Sequence, residues 1–227
     1  MSERSLSETG ASGEAAARRA GADAVIARLK AVLDPVDGKR RPPAFGDGDL
    51  NGAPSPTGRP LRPAAVLALI VRTGDALELV FTLRADHLQA HAGQVSFPGG
   101  RLNVGRESLA ECALRETEEE IGVPPEAIEL LGRWEPYETV TGYEVTPFLG
   151  LAEGPLDFTA DPGEVAEVFL APFDFLMNPV NHRLEEREFR GRLRRYYAMP
   201  WKGRYIWGAT AGMLKALSAR WSEGRGR

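Results

Sequence analysis

Residues 99–123 read GGRLNVGRESLAECALRETEEEIGV and contain the strongest structural signals of the chain. The two leading glycines permit a tight turn and a close approach of the backbone to neighbouring groups. Ser108 and Glu111 have the spacing of a capping box, and Gly122, followed by two prolines, ends a helix. The stretch therefore predicts a turn followed by a helix over about 108–122.

The predicted helix carries several glutamates, and a rotation of about 100° per residue sorts them by direction. Glu116, Glu119 and Glu120 fall within an arc of about 100° at the edge of the apolar stripe, whereas Glu118 points away from all three. Like charges four residues apart weaken a helix unless a cation offsets them, and hard divalent cations prefer oxygen ligands. The three carboxylates therefore predict a metal site, with a solvated acidic face as the alternative interpretation.

The remaining positions of this helix predict how it packs. The lone cysteine, Cys112, falls on the polar side by the same angular count, and we interpret it as a small packed residue rather than a reactive thiol. Because a single cysteine cannot form an intramolecular disulfide, it also fits a reducing cytoplasm. The residues expected to face the core are Leu109, Ala113, Leu114, Thr117 and Ile121.

The overall composition excludes several classes of protein. Of the 227 residues, 43% are hydrophobic and 26% are charged, which predicts a packed core rather than a disordered chain. The formal net charge of -4 argues against general nucleic-acid binding. The longest apolar run, over residues 64–71, is less than half of the roughly 20 residues that a membrane span requires. We therefore expect a cytoplasmic protein with no nucleic-acid or membrane partner. The sequence leaves the oligomeric state open between a monomer and a homodimer.

Changes in composition along the chain predict its organisation. Residues 23–33 have apolar residues at helical spacing and predict a short amphipathic helix. Residues 35–63 collect prolines, glycines and an Asp-Gly-Asp, which are typical of a linker or an extended surface arm. The predicted divisions are a mobile leader over 1–21, the helix and arm over 22–61, one catalytic domain over 62–221 and a tail over 222–227.

Apolar runs on both sides of the central helix predict a sheet. Two of them, over 64–71 and 77–83, are joined by a hairpin signal. This order of elements predicts the α/β (α+β) class, with a mixed sheet covered by helices on both faces. The other predicted strands cover 94–97, 128–134, 145–151 and 165–170, followed by a late hairpin over 186–198 and 204–207 and a closing helix over 209–221.

The helix also carries a family resemblance. Glu107, seven further residues and then Arg115–Val123 resemble the helical half of the Nudix box. The resemblance implies a Nudix-like α/β/α sandwich with a mixed central sheet, and Mg²⁺, or Mn²⁺ in its place, held by the three glutamates and the backbone of Gly100. It also implies that Glu107 and Arg115 pair to brace the loop. One departure is that six residues, rather than five, separate Gly100 from Glu107.

A second resemblance concerns the substrate. Residues 80–84 followed by residues 93–100 resemble the additional signature of the coenzyme A pyrophosphatases within the Nudix superfamily. Two positions depart from it, since Ala85 stands where the signature has a serine and Gln89 where it has an arginine. Residues 139–147 and 206–210 also resemble that subgroup, and the whole resemblance covers about 62–221.

The resemblance implies hydrolysis of the pyrophosphate in coenzyme A or its derivatives, to 3′,5′-ADP and 4′-phosphopantetheine or its acyl form. The general base is open among Glu120, Glu138 and Glu164. Arginines suit phosphate oxygens, although a solvated surface role is the alternative for Arg101. The expected catalytic residues are Glu116, Glu119, Glu120, Arg115 and Glu164, and the expected substrate contacts are Arg84, Gly99, Gly100, Arg101, Thr139 and Thr141.

Other functions remain open at this stage. The same chemistry on ADP-ribose or another nucleoside diphosphate derivative is the first alternative, and a nucleotide-binding Nudix-like sensor without catalysis is the second. A purely structural acidic helix is the third. His87 and His91 have helical spacing but lack a third zinc ligand. For Trp201, Tyr205 and Trp207, packing is the alternative to stacking on an adenine ring.

Overall fold

The computed structural model describes residues 19–39, 45–52, 60–88, 93–189 and 191–224. The helices are α1 (19–32), α2 (Asp47–Asn51), α3 (Leu109–Ile121), α4 (Phe173–Met177) and α5 (Ala209–Glu223), with 3-10 turns over Pro125–Ala127 and Pro179–Asn181. The strands are β1 (Phe45–Gly46), β2 (Arg62–Thr73), β3 (Ala76–Arg84), β4 (Val95–Ser96), β5 (Gly99–Arg101), β6 (Glu129–Arg133), β7 (Tyr137–Glu138), β8 (Tyr143–Glu153), β9 (Val165–Pro172), β10 (Arg183–Phe189), β11 (Arg192–Trp201) and β12 (Arg204–Trp207).

A mixed sheet forms the centre of the molecule. Within the described ranges its strands run in the order β1-β7-β8-β2-β3-β4, with β5 beside β2, β6 beside β8 and β9 beside β3. The longest pairing, β2 with β8, is parallel, as is β1 with β7, whereas the hairpin of β2 and β3 is antiparallel. The prediction of a mixed sheet is confirmed.

The two faces of this sheet are covered by different layers. One face packs under α3, where Leu67 and Phe148 meet Cys112 and Ile121 in a buried cluster. The other face packs against α1, α4, α5 and the small sheet β10-β11-β12, in a cluster that contains Phe81 and Trp134 together with residues of all these elements. The predicted sandwich is therefore confirmed.

The strands β2 and β3 separate at one end, which creates the place for a functional site. They pair with each other only over 70–73 and 76–79. Beyond that point, β5 pairs with β2 over 64–66 and β4 pairs with β3 over 82–83. The short connection Phe97-Pro98 thus lies between two strands that have moved apart, and it directs the following glycines toward α3.

The central helix begins and ends where the sequence predicts. The Ser108 hydroxyl accepts a hydrogen bond from the Glu111 amide, the Glu111 carboxylate accepts one from the Ser108 amide, and Gly122 forms a left-handed C-cap. Cys112 falls on the polar side by helical rotation, yet its side chain is fully buried, so the prediction of a small packed residue is confirmed. Its thiol lies 3.7 Å from the Gly100 carbonyl, since the preceding loop folds over this side of the helix. Burial raises the pKa of the thiol to about 11, as expected for a packed rather than a reactive cysteine.

The flanking elements differ in part from the predictions. Helix α1 covers 19–32, so the last residues of the predicted leader are helical and the helix begins before residue 23. Within the predicted arm, residues 45–52 form a strand and a short helix, and the strand joins the sheet. The late hairpin is a three-stranded antiparallel sheet, because β11 pairs with both β10 and β12. In the described part of the chain, no helix has the length and apolar character needed to cross a membrane.

Candidate active site

The turn before α3 brings backbone against a carboxylate. A Cβ atom added to Gly100 would lie 2.5 Å from both carboxylate oxygens of Glu116, closer than real Cβ atoms approach other atoms. A Cβ atom at Gly99, where φ is +152°, would lie 2.6 Å from Val66 Cα in the neighbouring strand. Glycine is therefore needed at Gly100, because a side chain there would displace the Glu116 carboxylate. It is needed at Gly99, because a side chain there would clash with the backbone of β2.

Glu120 is the most deeply buried acid of the site, with only 4% of its surface exposed. Its Oε1 atom lies 3.4 Å from the Gly99 amide, which donates to it, and its buried Oε2 has no hydrogen-bond partner among the described residues. Burial raises the pKa of this carboxyl to about 8, against the opposing effects of the Gly99 amide and the charge of Arg84. A buried oxygen without a partner is costly unless a ligand or a cation meets it.

Glu116 lies one helical turn before Glu120 and is half-buried. Burial is the main cause that raises its pKa, while the Arg115 guanidinium, 2.9 Å away, acts in the opposite direction. The charges of Glu119 and Glu164 raise this pKa further. Several negative charges therefore meet in one partly desolvated place, which is the arrangement that a divalent cation stabilises.

A bidentate ion pair braces the loop that leads into α3. The Arg115 Nε and Nη2 atoms donate to the two Glu107 carboxylate oxygens, each at 2.9 Å. Glu107 also accepts a 2.9 Å hydrogen bond from the Asn103 amide, and the Arg115 bond is the main cause that lowers the pKa of Glu107 to about 2. The predicted pairing is confirmed, because the one-residue longer loop still returns Glu107 to the helix.

Glu119 occupies the outer side of the site. Its side chain is 59% exposed and accepts a 2.8 Å bond from Arg115 Nη1, the same atom that contacts Glu116. Within the described ranges, no three acidic, imidazole or thiol groups converge on one point. Glu119 must therefore leave Arg115 to join Glu116 and Glu120 around an ion, and its role as a ligand stays a prediction. Glu118 is exposed, as its helical direction predicts.

The end of β3 and the start of β9 form the opposite wall. Arg84 pairs with Val165, and its buried Nε atom has no hydrogen-bond partner among the described residues. Glu164 precedes that pair, and its carbonyl accepts a 2.9 Å bond from the Ala85 amide. Its loop is tied to the end of α3 by a 3.0 Å bond from the Asp161 amide to the Glu120 carbonyl. The structure thus brings Arg84 and Glu164 beside Glu120, as the charge effects on the Glu120 pKa also indicate.

Other predicted substrate contacts have different surroundings. The hydroxyls of Thr139 and Thr141 lie 2.9 Å apart, and Thr139 also accepts a 3.0 Å bond from the Tyr143 amide, so both hydroxyls take part in holding a turn. Arg101 is exposed at the end of β5. Trp201 and Trp207 pack against Phe175 and Tyr196, with ring centroids 4.6 and 5.2 Å apart, respectively. Gln89 and His91 lie outside the described residues.

The sequence analysis did not identify one polar group on β8. Thr146 is 1% exposed, and its buried Oγ1 has no hydrogen-bond partner among the described residues. Thr146 pairs with Ala65, which pairs on its other side with Gly100, so the three residues form one row across the sheet. The available signal was the alternation in β8, where the polar residues Glu144 and Thr146 interrupt an otherwise apolar strand.

Comparison with known proteins identifies the family. The NUDIX domain description matches residues 61–193, which contain the turn, the helix and the opposite wall. The chain belongs to the NUDIX family. It is 37% identical over 157 residues to an uncharacterized Nudix hydrolase NudL of Enterobacter sp. (strain 638), covering 69% of this chain and 81% of that protein. NudL of Escherichia coli O7:K1 is 38% identical over the same length.

The chain is also similar to solved structures of Nudix proteins. A Nudix hydrolase from Alicyclobacillus acidocaldarius has a TM-score of 0.42 and 20% identity, over 70% of this chain and 91% of that one. Members of the family act on phosphoanhydrides in small nucleotide derivatives and generally use a divalent cation, typically Mg²⁺. The unpartnered oxygen of Glu120 and the contact of Gly100 with Glu116 fit such an ion.

Proposed function

We propose that this Nudix hydrolase cleaves the pyrophosphate of coenzyme A or its derivatives, in the cytoplasm, to 3′,5′-ADP and 4′-phosphopantetheine or its acyl form. The observation that carries the proposal is the position of the segment that resembles the coenzyme A signature. Its described parts, Val80–Arg84 and Val95–Gly100, form the strand end and the turn that face Glu116 and Glu120. The residues that mark the substrate class therefore line the place where the acids of the Nudix helix meet.

The acidic group is suited to a divalent cation. Glu116, Glu119 and Glu120, with the Gly100 backbone, would hold Mg²⁺ or Mn²⁺, because hard cations take carboxylate and carbonyl oxygens. A bound ion supplies neutralisation of phosphate charge and a lower pKa for a coordinated water. Arg115 holds Glu116 and Glu119 on one side of the helix until the ion competes for them.

The protein's own groups bind the diphosphate and direct the water. The Arg84 guanidinium has a buried Nε without a partner, and such a group forms charge-assisted hydrogen bonds with phosphate oxygens. The Glu164 loop is anchored to α3, and the charge of Glu164 raises the pKa of Glu120, which supports a role for this carboxylate in accepting a proton from an attacking water. Direct attack by water on phosphorus requires no covalent intermediate.

Replacing Glu164 with glutamine is expected to lower kcat about 100-fold and to change KM little, because general-base catalysis contributes roughly 100- to 10,000-fold. The measurement is steady-state turnover at saturating Mg²⁺. Glu138→Gln is the matched variant, since Glu138 is the other candidate base outside α3. Full turnover of Glu164→Gln would exclude this residue as the base, and a comparable loss in Glu138→Gln alone would transfer the role to Glu138.

A substrate panel tests the proposed function as a whole. Purified protein with Mg²⁺ is incubated with coenzyme A, an acyl derivative, oxidised coenzyme A, ADP-ribose and a dinucleotide, and the products are resolved by chromatography. We expect the highest kcat/KM for a compound of the coenzyme A class. Ala85, one of the two departures from the coenzyme A signature, is only 5% exposed, and its amide donates a hydrogen bond to the Glu164 carbonyl. A preference of tenfold or more for ADP-ribose would contradict the proposed substrate, and inactivity on every compound with Mg²⁺ and Mn²⁺ would indicate a sensor.

A further inference from the structure

The arm that precedes the family-matched segment is built into the edge of the central sheet. Strand β1 pairs in parallel with β7, placing Phe45 beside Tyr137 and Gly46 beside Glu138. The NUDIX description begins only at residue 61, so this strand is an addition to the matched domain. The arm therefore pairs with the end of the sheet that carries the candidate active site, although it lies outside the segment that matches the NUDIX description.

Asp47, the first residue of α2, binds two groups of the β7–β8 hairpin. Its Oδ1 accepts a 2.8 Å hydrogen bond from the Tyr137 hydroxyl, and its Oδ2 accepts a 2.7 Å bond from the Val140 amide. Tyr137 is 3% exposed, and burial raises the pKa of its hydroxyl, which keeps it a donor. One carboxylate thus holds both the strand and the turn that follows it.

The far end of α2 is anchored independently. The Asn51 side chain accepts a 2.7 Å bond from the Arg195 amide and donates a 3.2 Å bond to the Arg195 carbonyl on β11. The turn itself is held on its other side by Arg62, whose Nη2 donates a 3.1 Å bond to the Thr141 carbonyl. The hairpin is therefore held between the arm, through Asp47, and β2, through Arg62.

Two side-chain atoms on this face of the hairpin have no hydrogen-bond partner within the described ranges. Glu138 pairs with Glu144 across the hairpin, and Thr146 lies two residues further on the same face of β8. The buried Glu138 Oε1 and the buried Thr146 Oγ1 have no hydrogen-bond partners among the described residues. Thr146 is in the same row as Gly100. These two atoms thus continue the site beyond Glu116, on the side opposite Arg84.

We propose that Asp47 is a positioning residue of the substrate site. It fixes the β7–β8 hairpin so that Glu138 and Thr146 receive hydroxyl or amide groups of the substrate outside the diphosphate. A carboxylate accepts such donors, and a threonine hydroxyl both donates and accepts. This inference rests on the proposed hydrolase function, and it assigns the arm over 45–52 to substrate binding rather than to linking.

The first test measures how fast the backbone amides of the hairpin exchange in the absence of substrate. Hydrogen–deuterium exchange of the full-length chain is compared for Asp47→Asn and Asp49→Asn, a matched loss of charge on the same helix. An asparagine at 47 offers one acceptor oxygen where the aspartate offers two, and it lacks the charge that strengthens both hydrogen bonds. Amides of residues 139–143 are expected to exchange at least about tenfold faster in Asp47→Asn and at the parental rate in Asp49→Asn. Unchanged exchange in Asp47→Asn would overturn the proposal.

The second test separates positioning from stability, using the preferred compound of the substrate panel. Asp47→Asn is expected to raise KM about five- to tenfold with kcat within about twofold. Adding Tyr137→Phe to Asp47→Asn should change KM by less than about twofold more, because both changes break the same contact. A merely structural role would lower the active fraction, and hence kcat, at constant KM, and that result would overturn the proposal. If the parent hydrolyses nothing on the panel, the proposed function fails, while the exchange experiment still decides whether Asp47 fixes the hairpin.

Discussion

Replacing Glu120 with glutamine is expected to lower kcat by roughly 1,000-fold, which corresponds to about 4 kcal/mol of transition-state stabilisation. The Glu120 carboxylate is the deepest acid of the site, and its buried Oε2 has no hydrogen-bond partner in the described part of the chain. An amide retains a hydrogen-bond acceptor for the Gly99 amide but loses the negative charge that a divalent cation requires. The measurement is turnover of the preferred panel compound over a Mg²⁺ titration.

Stability and a neighbouring variant serve as controls for this result. The protonated form of Glu120 is favoured in the fold, with a pKa of about 8, so in metal-free buffer the acid destabilises the fold increasingly as the pH rises from its ordinary range toward that value. Glu120→Gln should therefore melt at or above the parental temperature near neutral pH with a chelator present. Glu118→Gln, on the exposed side of α3, should retain full turnover. Equal losses in both variants would contradict a specific role for Glu120.

Replacing Gly100 with alanine is expected to lower kcat/KM about 100-fold while leaving the melting temperature within a few degrees of the parent's. The added methyl group would occupy the place of the Glu116 carboxylate, 2.5 Å from each of its oxygens. That carboxylate is the far end of a flexible side chain, so it moves away at little cost to folding. The acid then leaves the position in which it meets Glu120, and activity falls.

The matched variant is Gly99→Ala, in which the added methyl group would clash with backbone atoms of β2 rather than with a side chain. Its methyl group would lie 2.6 Å from Val66 Cα and closer still to the Ala65 carbonyl, and φ is +152°. Because strand β2 cannot yield as a side chain does, we expect a loss of about 2 kcal/mol or more of unfolding free energy. Denaturant unfolding and activity are measured for both variants. A Gly100→Ala protein that keeps parental activity would contradict the proposal that the Glu116 carboxylate must lie against Gly100 for catalysis.

The α3 helix was predictable from the sequence because its determinants are local. Ser108 and Glu111 cap each other within one turn, Gly122 ends the helix, and the direction of Glu118 follows from helical rotation alone. The same rotation placed Cys112 on the wrong side. Rotation describes only the helix itself, whereas the exposure of Cys112 depends on a loop that returns from Gly100.

Contacts between distant segments account for the other differences. The arm around Asp47 has the composition of a linker, yet its carboxylate bonds to Tyr137 and Val140, some 90 positions along the chain. No local pattern specifies such a pairing, because both partners are ordinary residues of another hairpin.

The sequence alone determined the turn, the capped helix and the direction of its glutamates, since these follow from backbone freedom at glycine and from helical periodicity. It also carried the resemblance that implies the family. The folded arrangement was needed to see that buried polar atoms of Arg84, Glu120, Glu138 and Thr146 have no hydrogen-bond partner among the residues that the structure describes. Burial and hydrogen-bond satisfaction depend on every element packed around an atom, and those elements come together only when the splayed strands, the helix and the arm have folded onto one sheet.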